Sequence, residues 1–237
     1  MDVATSTQPP ATDTHTDELA MPNPHLAAVS MIVMGVFLAL IVVLHAIKPE
    51  FEPSWRFLSE YSIGRHGWVM MTAFFLWAIS CFTLSVALRE HVKTRGGRLG
   101  RVVLVVVGLS LIMAGLFAQD PLTARPDELT THGTLHAVAS MIGIPGVPIA
   151  ALFITWSLKH NPAWLALSRG MIVTAHLTWL SLLAMAVYLA IAVPRAGGFG
   201  PDVLAGWMNR VVVLAYWAWQ MVASYGAYRA DTRAHND

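Results

Sequence analysis

Six apolar runs, at residues 26–47, 67–88, 100–118, 135–156, 170–193 and 205–228, constrain this chain more than any other feature of its sequence. A helix advances about 1.5 Å per residue, so about 20 apolar residues cross a hydrocarbon layer about 30 Å thick. Each run has that length and is apolar on all sides rather than on one stripe, as a membrane helix is. Backbone in hydrocarbon must satisfy its hydrogen bonds internally, which leaves helices or a closed barrel. Barrel strands would show as short alternating segments, and the runs do not alternate. The expected fold class is all-α: a polytopic membrane protein, a bundle of six transmembrane helices. Only 12% of the residues are charged, about half the share in an ordinary soluble domain, so no soluble domain fits between the runs.

The flanks and connections set an expected orientation. Residues 1–25 contain no Lys or Arg and carry Asp13, Asp17 and Glu18. They lack the positive start of a secretory signal and read as a disordered cytoplasmic tail ahead of a 26–228 transmembrane domain. Residues 229–237 read as a cytoplasmic C-terminal tail. Nine Lys and Arg, among them Arg89, Lys93, Arg95, Arg98 and Lys159, fall on the side of the termini, against five (Lys48, Arg56, Arg65, Arg125, Arg195) on the other. The positive-inside rule then puts both termini in the cytoplasm and turns the connections 48–66, 119–134 and 194–204 outward. Trp55, Phe57 and Tyr61 suit 48–66 to an interfacial segment along the membrane surface. Pro145 and Pro148 remove backbone donors from the fourth helix and should kink it.

Ionisable groups at membrane depth are costly and tend to be functional. Here they collect at the outward helix ends: His45, Ser59, Glu60, Asp120, His132, His136, Asn209 and Arg210. His132 and His136 are four apart and share a helix face, so with Asp120 or Glu60 they could hold a zinc ion. With Thr134 as the helix cap instead, only His136 points inward. Arg210 keeps its charge at any pH of interest and needs a carboxylate, a phosphate or the interface beside it. It reads either as an ion pair with Glu60 or Asp120 or as a clamp for an anion. A Ser59–His136–Asp120 triad can be drawn, and His176 reads as an interior histidine of the fifth helix. His45, His136 and His176 do not pair by depth as haem ligands would, and no cofactor is expected. Cys81 sits alone in an apolar run and reads as an inert buried thiol.

No phosphate loop, dinucleotide fingerprint or nucleophile elbow is present. With a net charge of +1 and no basic stripe, nucleic acid is not an expected partner. Three segments do resemble a known family. Leu58-Ser59-Glu60-Tyr61-Ser62-Ile63-Gly64 followed by Gly67-Trp68-Val69-Met70 is one. Gln119-Asp120-Pro121 followed by Thr131-His132-Gly133-Thr134-Leu135-His136 is the second, and Gly206-Trp207-Met208-Asn209-Arg210 the third. In this order they resemble the prokaryotic membrane family called domain of unknown function 998, with Asn209 where the family pattern has Gln. The resemblance covers about residues 27–228. It implies a six-helix fold in a prokaryotic cytoplasmic membrane and draws attention to Glu60, Asp120, His132, His136 and Arg210, without implying an activity.

The leading expectation is an outward-facing polar pocket that binds a membrane lipid headgroup or a small anionic ligand, through Arg210, Asn209, Glu60, Ser59 and His132. Were it to hydrolyse or transfer a group, His136, Asp120 and Glu60 would be the candidates for catalysis. The metal alternative uses His132, His136 and Asp120. A second class is a structural or partner-binding protein whose polar cluster only ties helix ends together. Small residues such as Ser110 and Ala114 would permit close packing within one chain or in a homo-oligomer. A third is a small transporter, which needs polar groups along a path through the bundle.

Overall fold

Every apolar run lies in a helix of the computed structural model, which describes residues 24–236. The helices are α1 (Pro24–Ile47), α2 (Gly67–Ala87), α3 (Arg95–Leu116), α4 (Thr131–Leu158), α5 (Ser168–Ala196) and α6 (Ala205–Asn236), with short 3-10 turns at Leu58–Ser62, Pro126–Glu128 and Pro162–Leu167. The tail read for residues 1–25 lies, up to residue 23, outside the described residues. Five of the helices are long and apolar enough to cross a membrane. The sixth, α6, carries Arg210, Gln220 and Asp231, which lower its hydropathy, and it continues as helix through the stretch read as a C-terminal tail.

Caps explain where the helices start. The Thr94 side chain accepts from Gly97 N at 3.0 Å and Thr130 accepts from Gly133 N at 3.0 Å, satisfying amides that a helix start leaves orphaned. Both α3 and α4 therefore begin several residues ahead of their apolar runs. The cap of α4 is Thr130 rather than Thr134, so His132 and His136 are both helical. Gly197, at φ +76°, ends α5 in the left-handed conformation that glycine adopts without strain.

The helices pack as sequential neighbours, α1 on α2, α2 on α3, α3 on α4, α4 on α5 and α5 on α6, while α6 returns to α1. This is a closed up-and-down ring, and α2 reaches α6 across it. The α3–α4 seam is the tightest. A Cβ on Gly146 would come 2.5 Å from Val107 and one on Gly143 would come 2.6 Å from the Ser110 hydroxyl, so small residues bring these two helices together.

The ring interior on the side of the termini is filled by a satisfied polar network. Ser30 Oγ lies 2.7 Å from the hydroxyls of both Ser80 and Ser224. Gln220 donates to Ser80 at 2.7 Å and accepts from Trp77 Nε1 at 2.9 Å. All five residues are buried. These bonds join α1, α2 and α6 within the bundle.

Helical geometry in α4 continues through both prolines. Pro148 has no N–H for the carbonyl of Ile144; the Tyr216 hydroxyl on α6 donates to it instead, at 2.7 Å. Replacing Tyr216 with Phe should therefore leave a carbonyl orphaned at membrane depth and destabilise the protein by about 1–3 kcal/mol. The check is a lower thermal midpoint in detergent, and an unchanged midpoint would show that the carbonyl has another partner.

Candidate functional site

The connection 48–66 forms a cap on one end of the ring, held by charged side chains turned inward. Lys48, at the end of α1, is 1% exposed. Its ammonium donates to the carbonyls of Ile63 and of Arg65, the latter at 3.1 Å. Burial lowers its pKa below the usual lysine range, and Glu50 opposes that shift. His66, at φ +64°, turns the chain into α2. Tyr61 and Phe51 are buried, so this segment packs down onto the bundle.

Glu60 is fully buried with both oxygens engaged. One accepts from Arg56 Nη1 at 2.6 Å and from Leu122 N at 3.0 Å; the other accepts from Phe57 N at 2.9 Å. The carboxylate thus ties the first connection to the one between α3 and α4. Arg210, 7% exposed, has no carboxylate in contact among the described residues, contrary to the ion pair expected with Glu60 or Asp120. Its Nε donates to His45 Nε2 at 2.9 Å, Nη1 to the carbonyls of Arg56 and Gly206 at 2.8 and 3.0 Å, and Nη2 to the Tyr61 hydroxyl at 3.1 Å. His45 Nδ1 donates to its own helix at Ile41, which leaves Nε2 as the acceptor for Arg210. The pKa of Tyr61 is raised by burial, with the Arg210 charge opposing.

The cap sits directly on α6. A Cβ on Gly206 would fall 2.3 Å from the Pro53 carbonyl oxygen, so only glycine lets the backbones approach this closely. Trp207 N donates to the Ser54 carbonyl and Leu58 N donates to Asn209 Oδ1 at 3.0 Å.

Asp120 belongs to the start of α4. Its oxygens accept from Thr130 N and Thr130 Oγ1, each at 2.8 Å. A Cβ on Gly133 would lie 2.0 Å from one of them. A carboxylate there meets the positive end of the helix dipole. His136, one turn on, is 1% exposed. Its Nδ1 approaches the carbonyls of Phe117 and Ala114 at 2.8 and 3.2 Å. Carbonyls only accept, so Nδ1 carries the hydrogen, and Nε2 is buried with no partner among the described residues.

Beneath the cap the ring holds a partly open cavity of about 570 Å³, inside the range of about 300–1,000 Å³ typical of ligand pockets. Its walls are mostly apolar: Phe37, Met70, Phe74, Trp77, Leu111 and Val147. Polar groups reach it from Ser59, Asp120, His136 and Asn209, and no Lys or Arg lines it. These are four of the residues singled out in the sequence. Glu60 and Arg210 lie outside its lining, within the cap network, and His132 is exposed against the Phe117 ring.

The proposed metal set does not assemble: Asp120 is engaged by Thr130, His136 Nδ1 by carbonyls, and no group of three or more His, Cys, Asp or Glu among the described residues is placed to hold an ion. Neither does the triad form, since the partners of His136 and Asp120 are backbone carbonyls and Thr130. His176 is exposed on α5 and bonds its own helix at Ile172, so it adds nothing to an interior path. The sequence reading missed Lys48, Tyr61 and Gln220 as interior anchors. Lys48 could have been found as a lone lysine directly after an apolar run, followed by aromatic residues.

A family model described as Protein of unknown function (DUF998) matches residues 31–226. No curated protein and no solved structure matches the chain.

Removing the Glu60 charge while Arg56 stays should be among the most damaging changes at this end of the ring. Breaking a buried pair costs about 3–5 kcal/mol, and Arg56, 20% exposed, places E60Q toward the lower end. The double variant E60Q/R56Q should recover part of that loss. Thermal midpoints of the wild type, both single variants and the double variant measure it; strictly additive losses would mean that the pair is not coupled.

Proposed function

The chain belongs to the DUF998 family, and we propose that it is a lipid-binding membrane protein, which holds one hydrocarbon chain inside the ring with the polar head at the capped end. The cavity carries this reading: an apolar volume with polar groups collected at one end, roofed by a cap in which Lys48, Arg56 and Arg210 already have partners. The cavity's volume suits one hydrocarbon chain. The ligand contacts read for Arg210, Glu60 and His132 pass, in this proposal, to Ser59, Asn209 and His136, while Arg210 and Glu60 hold the roof.

The physics of the site determines what kind of selectivity it can have. A chain that leaves the bilayer for the cavity exchanges one apolar environment for another, so hydrophobic transfer contributes little. Affinity must come from packing and from the polar end. Binding alone is proposed, because Glu60 and Asp120 have both oxygens engaged within the protein. Following the Lys and Arg distribution, the capped end faces out of the cell and the termini face the cytoplasm of a prokaryotic inner membrane.

Two measurements test this. Ala139 is buried and lines the cavity, and A139F should fill part of it. Native mass spectrometry should then find at least about tenfold less co-purified lipid than in the wild type, with the thermal midpoint unchanged or higher. Undiminished lipid would end the cavity reading. For orientation, the native Cys81 is buried, so D127C supplies one reactive thiol in the α3–α4 connection. An impermeant maleimide added to intact cells should label it, and labelling only after lysis would invert the topology.

A further inference from the structure

We infer that the occupant of this cavity is electrically neutral and presents a hydroxyl hydrogen to Nε2 of His136, as a single-chain lipid alcohol or monoacylglycerol would. The inference rests on the lipid-binding reading above and names the class of ligand.

Two independent observations point the same way. The first is an acceptor without a donor. Nδ1 of His136 is committed to the Phe117 and Ala114 carbonyls, so the ring presents Nε2 as a bare lone pair. That atom is buried and without a partner among the described residues, in a residue that lines the cavity. A buried polar atom with no partner is costly, and the group that satisfies it must donate. A fully ionised phosphate or carboxylate has only acceptors to offer there.

The second is the charge of the lining. Among the described residues Asp120 is its one charged residue, and its carboxylate would oppose an anion. Three cations of this end are occupied elsewhere: Arg210 on His45, Tyr61 and two carbonyls, Arg56 on Glu60, and Lys48 on Ile63 and Arg65. The other polar residues near His136, Ser140 and Thr134 among them, are neutral and suit a second hydroxyl of the same head. A small anionic ligand, the expectation raised by Arg210 in the sequence, finds no counter-charge in this cavity.

The test uses the full chain in nanodiscs and three probes that share one oleoyl chain. 1-Oleoylglycerol is neutral and donates, methyl oleate is neutral and cannot donate, and oleoyl lysophosphatidate is anionic. Competition against tritiated 1-oleoylglycerol gives the three affinities. The expected order is oleoylglycerol tightest, with methyl oleate weaker by about three- to tenfold, the worth of one net hydrogen bond, and lysophosphatidate weaker still. H136N keeps an N–H close to the position of Nδ1 and deletes Nε2. It should weaken oleoylglycerol by a similar factor and leave methyl oleate unchanged.

Equal binding of oleoylglycerol and methyl oleate, or tighter binding of lysophosphatidate, overturns the neutral-hydroxyl inference and leaves chain binding standing. So does an H136N variant with undiminished affinity for oleoylglycerol. Failure of all three probes to bind folded wild-type protein removes the chain-binding reading and this inference together. If H136N does not fold, the wild-type order of the three heads still decides.

Discussion

A guanidinium buried near the start of α6 does not lose its proton, so its surroundings must do the work of water. Around Arg210 that work falls to four neutral acceptors: His45 Nε2, the Tyr61 hydroxyl and the carbonyls of Arg56 and Gly206. Bringing the Arg56 carbonyl there requires residues 53–56 to lie on the first turn of α6, which Gly206 allows. Arg56 is then placed to face Glu60, one helical turn along the chain, and Glu60 in turn captures Leu122 N from the next connection. One permanent charge thereby fixes the course of two connections. The roof over the ring is a consequence of solvating Arg210.

A roof made this way consumes Lys48, Arg56 and Arg210 and leaves the space below it short of positive charge. The size of that space has a separate cause. A ring of six helices has a centre, and on the side of the termini Trp77, Tyr216 and Gln220 occupy it. On the capped side α4 contributes Gly133, Ala137, Ala139, Ser140 and Gly143 to the lining, and α3 contributes Ser110 and Ala114. None of these reaches the centre. Their small size also sets the close α3–α4 seam, so the feature that draws two helices together at the wall keeps the middle open.

The sequence disclosed the helices because twenty apolar residues in a row have few alternatives in a membrane. It disclosed the cap residues by the same physics, since Glu60 and Arg210 stand out where charge is expensive. It did not disclose their partners. Arg210 and Glu60 have opposite charges at one depth, yet Arg56, four residues from Glu60, took the carboxylate first. His132 and His136 share a spacing that fits a metal, but only His136 turns to the interior, and its Nδ1 is taken by α3. His176 looked interior because its helix is apolar all round, a pattern that cannot say which face meets lipid. A cavity is harder still to read, being the place where no side chain is long enough. The cluster of Gly, Ala and Ser in the first half of α4 is its one trace in the sequence.

Helix α6 separates hydropathy from the ability to cross a membrane. It is the one long helix here that falls short of the apolar standard the other five meet, and its polar residues account for that. Arg210, Trp217, Ser224 and Asp231 follow one another at seven-residue intervals, so they fall along one stripe of the helix. Each has partners off α6: Arg210 in the cap, Trp217 at the Met34 carbonyl, Ser224 at Ser30 and Asp231 at His91. Trp207, Val211, Leu214 and Tyr225 occupy the exposed face. A hydropathy average charges every residue as though it met lipid, whereas the cost in hydrocarbon falls only on polar groups left unpaired. By that measure α6 is as fit to span as its neighbours, and its polar stripe is what positions it in the ring.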